Sequence, residues 1–98
     1  TVLKAGDLEL DTTTFTVTRA GQSISLTSKE FALLEYLLRN QGKPSSKEQI
    51  VSHVWDYDAD ILLNTVEVYI KYLRAKVDEP FDKQLIKTVR GFGYKIEA

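Results

Sequence analysis

The sequence predicts an α+β fold of the winged helix-turn-helix kind. Three observations carry that prediction. Residues 64–77, Asn-Thr-Val-Glu-Val-Tyr-Ile-Lys-Tyr-Leu-Arg-Ala-Lys-Val, repeat apolar positions at helical spacing and leave a basic outer face. After a short acidic break, residues 85–97 read as a strand, a glycine-bearing turn and a second strand. Upstream, short alternating segments rich in Thr and Val give way to segments that open with helix-start signals.

Taken in order, Leu8-Glu9-Leu10, Phe15-Thr16-Val17-Thr18 and Ser23-Ile24-Ser25-Leu26 alternate with a period of two, as strands with one buried face do. Thr12-Thr13-Thr14 and Ala20-Gly21-Gln22 stand between them as turns. A small antiparallel sheet follows from this pattern. Thr27 can cap the first helix, with Glu30 reaching back and Leu26 and Phe31 as a hydrophobic staple. Phe31, Leu34, Leu37 and Leu38 form its apolar stripe. Gly42 suits a left-handed C-terminal cap, and Pro44 confirms the break.

Ser46 opens the second helix with Gln49 three residues on, and Ile50, Val54 and Trp55 face inward. Asn64 opens the third with Glu67 three residues on, beside a Leu63–Val68 staple. On a helical wheel, Val66, Tyr69, Ile70, Leu73 and Val77 share one side. Asn64, Val68, Lys71, Tyr72 and Ala75 share the other, with Glu67 and Arg74 on one flank. Pro80 closes this region. Leu85–Val89 and Tyr94–Ile96 pair across Arg90-Gly91-Phe92-Gly93, whose two glycines are expected at positive φ.

The chain has 98 residues, enough for one domain, and an apolar content of 43%, enough for one core. No stretch is long enough to cross a membrane, and the start shows no secretory leader, so no membrane association is expected. Without Cys, disulfides and thiolate metal sites are excluded. One His and no Met leave little for transition-metal binding, and Ser45, Ser46 and Ser52 lack partners for a triad. No enzyme, cofactor or metal site is expected. His53 reads as a surface or capping residue.

The net charge of −1 does not point to nucleic acid; its distribution says more, though a solvated lysine face alone accounts for it about as well. Lys83, Lys87, Arg90 and Lys95 occur with no acid between them. A local basic patch attracts phosphates even on a neutral molecule, because salt screens charges farther than about 8–10 Å. Exposed Val68 and Tyr72 among cations suit a helix that touches thymine methyls and sugars. A helix beside a basic hairpin therefore predicts double-stranded DNA as the partner, with the helix in one groove and the hairpin in the next.

Four motifs extend this reading. The first helix shows Leu26-Thr27-x-x-Glu30-Phe31-x-Leu33-Leu34-x-x-Leu37, and the second shows Ser46-Lys47-Glu48-Gln49-Ile50-x-x-x-Val54-Trp55. The third shows Val66-Glu67-Val68-Tyr69-Ile70-x-x-Leu73-Arg74-x-Lys76-Val77, and the hairpin Leu85-Ile86-x-Thr88-Val89-Arg90-Gly91-x-Gly93-Tyr94. In this order and spacing the chain resembles the DNA-binding effector domain of OmpR/PhoB-type bacterial response regulators over essentially its whole length, residues 1–98. The resemblance implies an N-terminal four-stranded antiparallel sheet, three helices and a C-terminal β-hairpin wing. It implies a cytoplasmic transcription factor that binds direct repeats as a head-to-tail pair. It also implies an upstream receiver domain, which this chain lacks, and a sensor kinase.

By resemblance, the position of Val68 makes apolar base contact, and those of Lys71 and Arg74 meet bases or phosphates. The family often carries Arg where this chain has Asn64 and Tyr72, and both departures remove a cation from the reading surface. Thr88 is expected to bond a phosphate, Arg90 to enter the minor groove, and Lys87 and Lys95 to add sequence-independent attraction. The acidic segment with Asp56, Tyr57, Asp58 and Asp60 is, by resemblance, the loop that touches RNA polymerase.

That segment also has the outline of an EF-hand, with acids at loop positions 1, 3 and 5 and Glu67 at position 12. Position 6 needs Gly for a sharp turn, and here it is Ile61, which resists positive φ. A solvated acidic loop fits better. A winged helix that binds proteins instead of DNA is the remaining alternative; it predicts weak, salt-insensitive behaviour on DNA.

Overall fold

The computed structural model describes residues 1–55 and 62–98. Strands β1 (Val2–Ala5), β2 (Leu8–Asp11), β3 (Thr16–Arg19) and β4 (Gln22–Ile24) form one antiparallel sheet in sequence order. Helices α1 (Ser28–Arg39), α2 (Lys47–Val54) and α3 (Leu63–Val77) follow, with a two-residue strand β5 (Ser45–Ser46) leading into α2. Strands β6 (Ile86–Val89) and β7 (Gly93–Ile96) make the wing. β5 joins it, so the second sheet is three-stranded in the order β5-β7-β6, a strand more than the expected hairpin.

β1 does not alternate cleanly in sequence, and the fourth strand was implied only by the resemblance. Its place comes from pairing with β2, in which Leu3 faces Leu10 and Ala5 faces Leu8. Phe15, read as the start of a strand, belongs to the preceding turn. The Asp11 carboxylate accepts from the Thr13 and Thr14 amides at 2.8 and 3.3 Å, which curls the chain, and Phe15 follows at φ 55°. Ala20 and Gly21, with φ of 52° and 77°, close the next hairpin, so Gln22 begins β4 instead of ending a turn.

The capping boxes of α1 and α2 form as expected, Thr27 with Glu30 and Ser46 with Gln49. The start of α3 is different. Leu62 is its N-cap and makes no side-chain cap bond, and Asn64 lies inside the first turn. Glu67 does not reach back, because its carboxylate takes the Lys47 ammonium on α2. Gly42 has its expected positive φ, 82°, but α1 already ends at Asn40. The Gly42 amide instead donates to the Ile96 carbonyl at 2.8 Å, tying the turn to the wing.

One apolar core joins the layers. Leu8, Leu10 and Val17 of the first sheet pack with Leu34 and Leu37 of α1, Ile50 of α2, Ile70 and Leu73 of α3, and Ile96 of the wing. At about 25 cal/mol per Å², burial of this kind is the main favourable term in folding. Its effect here is to fix α3 so that one side is buried and the other faces outward.

Candidate nucleic-acid interface

Val66, Ile70, Leu73 and Val77 bury the inner side of α3. Asn64, Val68, Lys71 and Tyr72 are exposed on the opposite side, as the helical wheel predicts. Val68 is 42% exposed and Tyr72 49%. Fifteen residues at about 1.5 Å each give a helix of about 22 Å, and a B-form major groove about 12 Å wide accepts it lengthwise. The Tyr72 ring meets Tyr69 edge-on at 5.9 Å, and Tyr69 meets Trp55 edge-on at 5.3 Å.

Charged groups fasten α3 on three sides. Lys76 donates to Glu30 of α1 at 2.6 Å. Burial pushes the Glu30 carboxyl up, but the Lys76 ammonium and the Thr27 amide outweigh that and hold it below the usual Glu range. Lys47 of α2 pairs with Glu67, which raises the Lys47 pKa above the ordinary Lys value. On the third side, Arg74 Nη2 donates to the Ile86 carbonyl at 3.1 Å and to Thr88 Oγ1 at 2.7 Å, and its guanidinium lies 5.7 Å from the Tyr94 ring centre. Arg74 therefore bridges helix and wing.

The wing has two faces. Ile86, Thr88, Tyr94 and Ile96 lie on the face toward α3, with Thr88 exposed at its end. Lys87 and Lys95 sit opposite each other on the other face. The structure thus joins Arg74 to Thr88, sets Thr88 and Arg90 in one cleft with the start of α3, leaves Val68, Lys71 and Tyr72 exposed on the helix, and puts Lys87 on the other face of the wing. Arg90 is exposed at the turn. Gly91 has φ 72° at the third turn position, where Gly enters without strain. Gly93 does not have positive φ. It is needed for close approach, since a Cβ there would lie 2.0 Å from the Ser45 carbonyl oxygen of β5.

A cleft of about 570 Å³ separates the start of α2, the start of α3 and the wing tip. Lys47, Leu63, Glu67, Thr88, Arg90 and Phe92 line it. The expected polymerase-contact residues Asp56, Tyr57, Asp58 and Asp60, and the EF-hand outline, lie outside the described residues.

Sequence reasoning missed the node that sets the wing. Arg19 and Asp78 are 1% and 0% exposed and pair at 2.9 Å. Arg19 also donates to Asp7 at 2.8 Å and to the Val77 and Lys83 carbonyls. Asp78 accepts from the Leu85 and Ile86 amides at 3.1 and 3.0 Å, where β6 begins. One signal was available. An acid at a helix C-terminus faces the negative end of the helix dipole, so Asp78 required a cationic partner.

With that geometry in place, residues 21–96 match the family described as "Transcriptional regulatory protein, C terminal". The chain belongs to that family. Within this transcriptional-regulator family it is similar to the transcriptional regulatory protein CusR of Escherichia coli, with 47% identity over 97% of this chain and 42% of CusR. Among solved structures it is similar to the response regulator DrrB of Thermotoga maritima, an OmpR/PhoB homologue. There the TM-score is 0.87 and the identity 34%, over 99% of this chain and 44% of that one. It is also similar to the RstA DNA-binding domain of Klebsiella pneumoniae, solved in complex with the RstA box. The TM-score is 0.85 and the identity 26%, over 98% and 96% of the two chains. The chain thus spans about two-fifths of the length of the curated relatives it matches. Among the described residues, no helix is long and apolar enough to cross a membrane.

Proposed function

We propose that this chain is the DNA-binding output module of a two-component response regulator, with α3 in the major groove and the wing in the adjacent minor groove. The observation that carries the reading is the Arg74 bridge. It joins the exposed side of α3 to the wing, so Lys71 and Tyr72 act on the same ligand as Thr88 and Arg90. Val68 and Tyr72 meet base edges. Lys71 and the free Arg74 donors meet bases or phosphates, and Asn64 adds a polar contact at the helix start. The Thr88 hydroxyl accepts from Arg74 and keeps its own proton for a phosphate oxygen. Arg90 enters the minor groove, and Lys87 contributes attraction from the outer face.

In this reading a receiver domain and a sensor kinase govern the module in the whole protein. Two copies bind a direct repeat head to tail, and the segment with Asp56, Tyr57, Asp58 and Asp60 meets RNA polymerase.

Selection of bound sequences from a random duplex pool tests the proposal. The expected result is a direct repeat whose affinity falls steeply as salt rises. Arg90→Ala is expected to weaken binding most at sites with A·T-rich flanks, and Tyr72→Ala to change base preference by about 1–3 kcal/mol at one position. Weak binding that ignores salt would identify a protein-interaction module instead.

A further inference from the structure

The wing tip displays an aromatic ring that a charge-based reading of this surface leaves unused. Phe92 is 49% exposed, and its amide donates to the Val89 carbonyl at 3.0 Å, so a closed turn presents the ring. Leu63, 44% exposed, lines the same cleft as Phe92. Among the described residues, seven large apolar side chains are exposed, and five belong to α3, its N-cap and the wing tip: Leu62, Leu63, Val68, Tyr72 and Phe92; of these, Leu63 and Phe92 share the cleft. Scattered exposed apolar residues need no explanation, but a concentration on one face marks a contact surface.

The charge lining the cleft narrows the ligand. Glu48 and Glu67 line it together with Lys47 and Arg90, and Lys47 is already paired with Glu67. The cleft therefore has little net attraction for phosphate, and a strand seated there needs a second source of affinity. A sugar–phosphate strand offers one in the C–H faces of its deoxyriboses. With α3 in one groove and the wing in the next, the strand between the grooves passes over this cleft.

We propose that Phe92, together with Leu63, packs on a deoxyribose of the sugar–phosphate strand that crosses the cleft between α3 and the wing, with Thr88 on its phosphate and Arg90 reaching past it into the minor groove. This rests on the DNA-binding reading above. Phe92 adds affinity that salt does not screen, because apolar burial releases no counterions.

The test uses the 98-residue chain and the best-bound duplex recovered from a random pool, titrated over a range of salt. Phe92→Ala should lower affinity by about three- to tenfold at every salt concentration, the size expected for losing part of one buried aromatic face. Its salt slope should match the unsubstituted chain, and Phe92→Leu should recover most of the loss. Arg90→Ala is the contrast and should lower the slope by about one. Thermal melting of Phe92→Ala should be unchanged, since the ring lies outside the core. An unchanged affinity, or a loss accompanied by a changed slope, overturns the sugar contact while leaving DNA binding standing. If no duplex is recovered at all, both readings fail.

Discussion

Arg74 Nη2 on α3 and Thr88 Oγ1 on β6 lie 2.7 Å apart, and the same nitrogen holds the Ile86 carbonyl at 3.1 Å. One planar side chain thus serves two strand positions and fixes the wing relative to the helix. Arg74→Lys keeps the charge but loses the planar fork. Stability is expected to fall by up to about 1.5–3 kcal/mol, the range for a charge-assisted hydrogen bond. Duplex affinity should fall with it while the salt slope holds. Denaturation and binding titrations check this, and wild-type values in both would dismiss the bridge.

Gly93 and Gly91 should respond differently to alanine. At Gly93 the added Cβ meets the Ser45 backbone at 2.0 Å, where nothing flexible can yield. Gly93→Ala should separate β5 from β7 and cost about 3 kcal/mol or more, in the range of severe core overpacking. At Gly91 no atom lies within 4 Å of the added group, and only its φ of 72° resists. That cost is expected to be about 1 kcal/mol. Comparable melting temperatures for the two variants would contradict the close approach.

The contrast shows what local pattern can reveal. Thr27 with Glu30 and Ser46 with Gln49 are three residues apart, so the capping rule alone found both boxes. Both glycines of the wing were assigned to its turn, yet Gly93 answers to Ser45, which is far away in sequence. Glu67 was assigned to the start of α3, but Lys47 on a neighbouring helix competes for its carboxylate. The exposed side of α3 was legible from helical spacing. The Arg74 bridge was not, because its partners depend on how the wing folds back. Arg19 and Asp78 are separated by 59 residues, beyond any periodicity.

Asp78→Ala should show the strength of that distant pair. It removes the buried one of the two carboxylates that face the Arg19 guanidinium, leaving the half-exposed Asp7, and leaves the Leu85 and Ile86 amides unpaired. The expected loss is about 3–5 kcal/mol, as for breaking a buried ion pair. A urea midpoint within error of wild type would show that water or Asp7 replaces the carboxylate.

Glu30 gives a pH dependence with a defined sign. Its folded-state pKa is lowered, so its contribution is complete above the unfolded-state pKa. It is lost as pH falls through the folded value and Lys76 loses its partner. Asp7, held down by Arg19, and Asp11, held down by the Thr13 and Thr14 amides, act in the same direction. Stability should therefore fall as pH is lowered from about 5 to about 2. Glu30→Gln should show a smaller fall over that interval. An equal fall in both proteins, measured by urea midpoints, would remove Glu30 from the acid response.

The single indole of the chain, Trp55, is connected by two edge-on ring contacts through Tyr69 to Tyr72 on the outer side of α3. A base stacked or bonded at Tyr72 changes the surroundings of the second ring in that series. The protein thus contains its own optical probe, and if α3 reads bases as proposed, intrinsic emission would follow its occupancy without any attached dye.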